Sequence, residues 1–167
     1  SSSASDVYKR QSQTHPFSVQ VGASKSPKLC YRVASMLRTL GYPAFNSTID
    51  LNSRGVWHRV YIGSFATRDG AQNIKDRLFI ENITEGFIRH LPYAVQVGSS
   101  GTFDQLIELQ KTLLTKDHLP YSTPIQNASS GLIEGRLLIG ACHEREHCDH
   151  LLSTIKDDGF SAVVVER

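Results

Sequence analysis

The sequence predicts an α+β protein built as two tandem βαββαβ domains, each a four-stranded antiparallel sheet with two helices on one face. Two observations predict this. First, the chain repeats itself: Val19-Gln20-Val21-Gly22 recurs 76 residues on as Val95-Gln96-Val97-Gly98, and Arg59-Val60-Tyr61-Ile62-Gly63 recurs 77 residues on as Arg136-Leu137-Leu138-Ile139-Gly140. Pro16-Phe17 and Pro92-Tyr93 open the two copies. A repeat overrides the single-domain prior that length alone would give. Second, each copy runs through hydrophobic periods of about 2 and about 3.6 in the order strand, helix, strand, strand, helix, strand.

The elements of the first copy follow one by one. Phe17, Val19 and Val21 alternate with Ser18, Gln20 and Gly22, which marks a strand with one buried face. Ser26-Pro27 starts a helix whose apolar positions are Leu29/Cys30, Val33, Leu37 and Leu40, and Gly41 stops it. Ala44 to Ile49 is a second strand, and Asp50 to Gly55 is turn chemistry. Val56 to Ile62 is a third strand, in which Val56, His58, Val60 and Ile62 alternate with Trp57, Arg59 and Tyr61. Thr67 can cap a second helix with Ala71, Ile74 and Leu78 on its buried face, and a last strand spans Thr84 to His90. The second copy gives Tyr93–Ser99, Phe103–Lys116, Tyr121–Asn127, Leu132–Ala141, Glu144–Asp157 and Phe160–Glu166 in the same order. Split βαβ units of this kind are the ferredoxin-like, RNP-like fold.

The division is a tail over residues 1–15, one domain over 16–91 and a second over 92–167. Asp6-Val7-Tyr8-Lys9-Arg10-Gln11 resembles a translated transposon sequencing adapter, so residues 1–11 are set aside from fold reasoning. On that reading, a membrane anchor or signal in a missing upstream region stays open. A domain of about 75 residues buries only about 60 % of its unfolded surface, so each copy leans on its neighbour. The seam at His90–Pro92 holds no Gly/Ser linker, which argues for a fixed relation between them.

A net charge of +2 is too mild to point to nucleic acid or an anionic membrane. No apolar run approaches the roughly 18 residues of a membrane span. Of three cysteines, Cys30 falls on an apolar helix face and reads as a small buried hydrophobe.

Strand parity selects the binding candidates. If Val19, Val21, Val60 and Ile62 face the helices, then Gln20, Trp57, Arg59 and Tyr61 face away, on a bare sheet face. Aromatic rings stack on flat apolar faces such as sugars or nucleobases, and Gln and Arg supply hydrogen-bond donors. In the second copy, Gln96 and Arg136 keep these places, while Glu134 and Leu138 replace the Trp and the Tyr.

Phe17-Ser-Val-Gln-Val-Gly-Ala, Gly41-Tyr42-Pro43-Ala44 and Trp57-His-Arg-Val-Tyr-Ile-Gly63-Ser-Phe65-Ala-Thr-Arg-Asp-Gly-Ala71 together resemble the SPOR domain. The resemblance covers 16–90 well and 92–167 loosely. It implies the fold derived above and non-catalytic binding of peptidoglycan glycan strands that lack stem peptides, targeting a bacterial cell-envelope or division protein to the septum. It also implies a periplasmic or envelope location and a glycan-binding surface on the sheet face. By position, Gln20, Trp57, Arg59, Tyr61, Gln96 and Arg136 are its glycan-binding candidates. No cofactor, metal or nucleic-acid partner is assigned. The chain departs from the family at Ser24, where Phe is usual, and at Leu29, where Asn is frequent.

Two features of the sequence point elsewhere. His143-Glu144-Arg145-Glu146-His147 matches the H-E-x-x-H pattern of zinc peptidases, with Cys142, Cys148 and His150 nearby. The repeat places it instead on the exposed first turn of a helix, with Cys148 at the buried position of Ala71. Single-stranded RNA binding shares the strand order, but Val56–Gly63 lacks the RRM signature. A protein-interaction module is the remaining alternative. No phosphate loop or catalytic triad stands out.

Overall fold

The structure, a computed structural model, describes residues 14–167. The adapter-like segment Asp6–Gln11 lies outside the described residues. The elements are β1 (Phe17–Ser24), α1 (Pro27–Thr39), β2 (Ala44–Asp50), β3 (Val56–Phe65), α2 (Arg68–Ile80), β4 (Phe87–His90), β5 (Tyr93–Gly101), α3 (Phe103–Thr115), β6 (Tyr121–Gln126), β7 (Ile133–Cys142), α4 (Asp149–Asp157) and β8 (Ala162–Glu166). They form two antiparallel four-stranded sheets, ordered β2-β3-β1-β4 and β6-β7-β5-β8. This is the predicted α+β, ferredoxin-like architecture.

Local signals set the helix starts. The Ser26 side chain accepts from Leu29 N, with Pro27 in the first turn. Thr67 caps α2 through Gly70 N, and Thr102 and Gln105 form a reciprocal capping box on α3. The buried face of α1 is Cys30, Ala34 and Leu37, whereas Leu29 and Leu40 are 49 % and 55 % exposed. The wider apolar stripe expected from spacing is therefore narrower in the fold. The helix expected over Glu144–Asp157 begins with a 3₁₀ turn, Arg145–Cys148, and becomes α-helical only at Asp149. Cys148 is buried as expected, and it forms a disulfide with Cys142, a bond beyond what the repeat alignment predicts. Cys30 is free and buried; its thiol donates to the His58 carbonyl, and burial raises its pKa.

The repeated glycine that ends the third strand of each unit has a structural cause. Gly63 and Gly140 both have positive φ, 75° and 68°. Each sits where the register between its strand and the first strand of the unit shifts, between Phe17 and Val19 and between Tyr93 and Val95. These are glycine bulges, a conformation other L-residues adopt only with strain. A Cβ on Gly140 would also lie 2.3 Å from Leu151 Cδ2 and 2.8 Å from Ser47 Oγ.

Each unit has its own core between sheet and helices, one around Val19, Leu37, Val60, Ile62 and Leu78, the other around Val95, Leu113, Leu137, Ile139 and Ile155. A third cluster joins Phe45, Tyr61 and Leu91 to Ala141, with Tyr121 packed on it. Phe45 and Tyr61 belong to the helix-free face of the first sheet, and Ala141 and Tyr121 to that of the second. The two open faces thus meet along part of their surface, and the expectation of two bare faces is corrected.

Polar groups fix this contact. The Arg167 side chain is fully buried; its Nε donates to Leu91 O at 2.8 Å, one Nη to Tyr121 Oη at 3.2 Å and the other to Ser18 Oγ. Its backbone N donates to Pro92 O, and its carbonyl accepts from His15 N. His15, assigned to the tail from sequence, is therefore tied to the opposite end of the chain. Ser47 Oγ both donates to Ala141 O and accepts from Ala141 N. Arg38 reaches from α1 to Pro120 O at 2.7 Å.

Two outcomes follow. Arg167→Ala removes three hydrogen bonds, leaves Leu91 O without its side-chain donor while Ser18 and Tyr121 keep their bonds to Gly63 O and Gly140 O, and opens a cavity between the units. A buried unsatisfied group costs about 1–3 kcal/mol and a large-to-small change in a core about 2–5 kcal/mol. We expect a loss of about 3 kcal/mol or more in urea unfolding; an unchanged midpoint contradicts this account. Gly140→Ala combines a left-handed backbone with overpacking and is expected to cost at least about 2 kcal/mol. Gly131→Ala, where φ is 72° but a Cβ meets nothing within 4 Å, should cost clearly less in the same measurement.

Candidate functional site

The helix-free face of the first sheet carries the residues selected by parity. Val60 and Ile62 lie in the core beneath the helices, so Trp57, Arg59 and Tyr61 of β3 project from the other side. Across the ladder, Tyr61 pairs with Gln20 of β1 and with Phe45 of β2, Arg59 with Ser47, and Trp57 with Ile49. Trp57 is half-buried; its indole Nε1 donates to Arg54 O at 3.2 Å, and the Lys25 ammonium sits 5.5 Å from the ring centroid. Both contacts hold the ring in one orientation. Gln20 Oε1 accepts from Arg89 Nε at 3.0 Å.

The structure brings Gln20, Trp57 and Arg59 together on accessible surface and removes Tyr61 from it. Tyr61 keeps the predicted face but is only 1 % exposed, because Phe45, Leu91 and Ala141 cover it. Burial raises its phenol pKa, with the Arg59 guanidinium opposing. Tyr61 therefore supports the face from below and offers no stacking surface.

In the second sheet the prediction for Arg136 is corrected in the same way. Arg136 is 9 % exposed, and its guanidinium donates to Thr123 Oγ1 at 3.0 Å and to Glu166 O at 2.7 Å. Desolvation lowers its pKa. Its donors are used inside the molecule, where it ties β7 to β6 and β8. Gln96 is half-buried, and its amide donates to Gly98 O at 3.3 Å. Glu134, at the place of Trp57, accepts from Asn127 Nδ2. Next to these, Leu138 and Ala94 are fully buried. This face is a packing surface over much of its area.

Two residues of the first face were missed from sequence. Phe87 and Arg89 lie on β4, paired with Gln20 and Ser18, and share their side of the sheet, while Ile88 faces the core. Phe87 is 65 % exposed. The signal was available: alternation around Ile88 gives the same face, once the strand is known to lie next to β1. The accessible face thus runs from Phe87 and Arg89 at one edge, through Gln20, to Arg59 and Trp57.

The H-E-x-x-H segment is not helical through its length. His143 precedes the 3₁₀ turn, so the i, i+4 geometry of an α-helical metal pair does not apply to it. His143 Nδ1 is 3.0 Å from His90 O, and its Nε2 is 3.5 Å from Glu144 Oε1. Cys142 and Cys148 are consumed by the disulfide. Among the described residues, no three His, Cys, Asp or Glu side chains gather in a metal-holding group. Among them, too, no helix is long and apolar enough to cross a membrane.

No curated protein and no solved structure matches the chain. Residues 14–89, which hold the whole accessible face described above, match the SPOR domain family, whose domains are peptidoglycan-binding modules.

Proposed function

We propose that the chain is a non-catalytic binding protein of the bacterial cell envelope, which recognises peptidoglycan glycan strands lacking stem peptides through the helix-free face of its first unit. The single observation behind this is the division of that face. One end is sealed by the second unit, while the other exposes Phe87, Arg89, Gln20, Arg59 and an oriented Trp57. An aromatic ring on the edge strand β4 and another on the inner strand β3, with amide and guanidinium donors between them, suit an extended chain of sugar rings, whose faces are apolar and whose edges are hydroxyls. The SPOR match over residues 14–89 supports the same ligand class. We read the second unit as a divergent SPOR-like copy that supports the first, because its equivalents of Trp57 and Arg59 are Glu134, which has no ring, and Arg136, which is buried. Delivery of an attached envelope or division protein to the septum, where stripped glycan accumulates, is the role this binding implies.

Pull-down with sacculi before and after an amidase strips the stem peptides tests the reading. Binding is expected only to the stripped sacculi; preference for RNA homopolymers would instead support an RRM-like function. Truncating an aromatic anchor at a binding hot spot costs about 2 kcal/mol or more. Trp57→Ala is therefore expected to weaken binding to stripped sacculi at least about tenfold. Its melting temperature should stay close to that of the parent, since the ring lies outside the core. Glu134→Ala, at the equivalent place in the second unit, should leave binding unchanged.

A further inference from the structure

The second unit reaches the accessible face at one place. A small cavity of about 20 Å³ lies between the sheets, lined by Ile49, Arg59 and Tyr61 of the first unit and by Cys142, His143 and His147 of the second. We propose that this cavity is an anion notch that completes the glycan face, and that it takes the lactyl carboxylate which stem-peptide removal leaves on a muramic acid residue. The inference rests on the glycan reading above and gives it a chemical basis for selecting stripped strands.

The lining has the composition such a group requires. It contributes a guanidinium, two imidazoles and hydroxyls, and none of its residues is Asp or Glu. Glu144, the neighbouring acid, is exposed and leans on His143. Guanidinium–carboxylate contacts are charge-assisted and roughly twice as strong as neutral hydrogen bonds. The volume seats one carboxylate oxygen, with the rest of the carboxylate at its mouth, and admits no sugar ring. A sugar ring would stay on Trp57, two residues from Arg59 and so about 7 Å along the same strand face.

The notch is also built to hold its shape. Ser47 grips Ala141 through both backbone polar groups, and the Cys142–Cys148 disulfide closes the segment that follows. His143 is fixed to His90 O, which leaves His147 and Arg59 as the groups available to a ligand. A muramic acid that keeps its stem peptide carries a neutral amide there in place of the anion. It also carries a peptide too large for the cavity. Charge and size therefore discriminate in the same direction.

The test uses soluble glycan strands stripped by an amidase, and the same strands with their lactyl carboxylates converted to methylamides. The parent is expected to bind the carboxylate strands at least tenfold more tightly than the methylamides. His147→Ala is expected to reduce this preference, and Arg59→Gln/His147→Ala to lose it to within twofold, because those are the two groups the notch offers to the carboxylate. His147→Gln, which keeps a neutral donor and a similar volume, should retain an intermediate preference; its melting temperature reports the fold independently. A parent that binds both strands alike, or a double variant that keeps the tenfold preference, overturns the notch. In that event, continued loss of binding by Trp57→Ala leaves the glycan reading standing. A parent that binds neither strand overturns both.

Discussion

The arrangement of the two units depends on the seat of Arg167. A guanidinium can be buried at tolerable cost only if its donors are met, and here they go to Leu91 O at the seam, Tyr121 Oη on the second sheet and Ser18 Oγ on the first. The charge also lies near the rings of Phe45 and Tyr121, at 5.7 and 5.9 Å from their centroids. Because its three partners belong to the two units and their junction, one side chain specifies how the faces are set against each other. The contact of Phe45 on Tyr121, with ring centroids 4.3 Å apart, supplies the apolar part of the same joint.

That joint decides what remains for binding. The helix-free face of a small sheet has two possible fates, solvation by a ligand-ready surface or burial against a neighbour. In this protein both occur on one face. Phe45, Tyr61, Ser18 and Ser47 are buried, and Gln20, Arg59, Trp57, Arg89 and Phe87 are left accessible. Burial of the first group gives the second a rigid base, which favours binding because less ordering is required when a ligand arrives.

The second unit keeps the fold of the first and changes the use of its face. Its bulge at Gly140 is the counterpart of the bulge at Gly63, so backbone geometry explains the shared glycine without reference to ligand. The bulge turns Ala141 towards Ser47, and the strand then ends in Cys142 and its disulfide. A backbone feature common to both units thus serves in the second to bring the His143–His147 segment against the first.

Much was legible in the sequence because it depends on local rules. The repeat, the alternation around Val19 and Val60 and the helix starts at Ser26 and Thr67 give the elements, their order and the side of each sheet that faces the helices. Parity also places Gln20, Trp57 and Arg59 on the same face, since a strand's period of two is a property of the backbone. Tertiary structure alone decided which of those residues meet solvent. Tyr61 and Arg136 have the right parity, but the covering of one sheet by another is a contact between residues far apart in the chain, and no local period encodes it. The same holds for Arg167 on Ser18, for the strand neighbours that add Phe87 and Arg89 to the face, and for the approach of His147 to Arg59. The Cys142–Cys148 bond also escaped the sequence, because pairing needs the distance between two Cα atoms, 5.8 Å here, and that distance is set by the 3₁₀ turn between them.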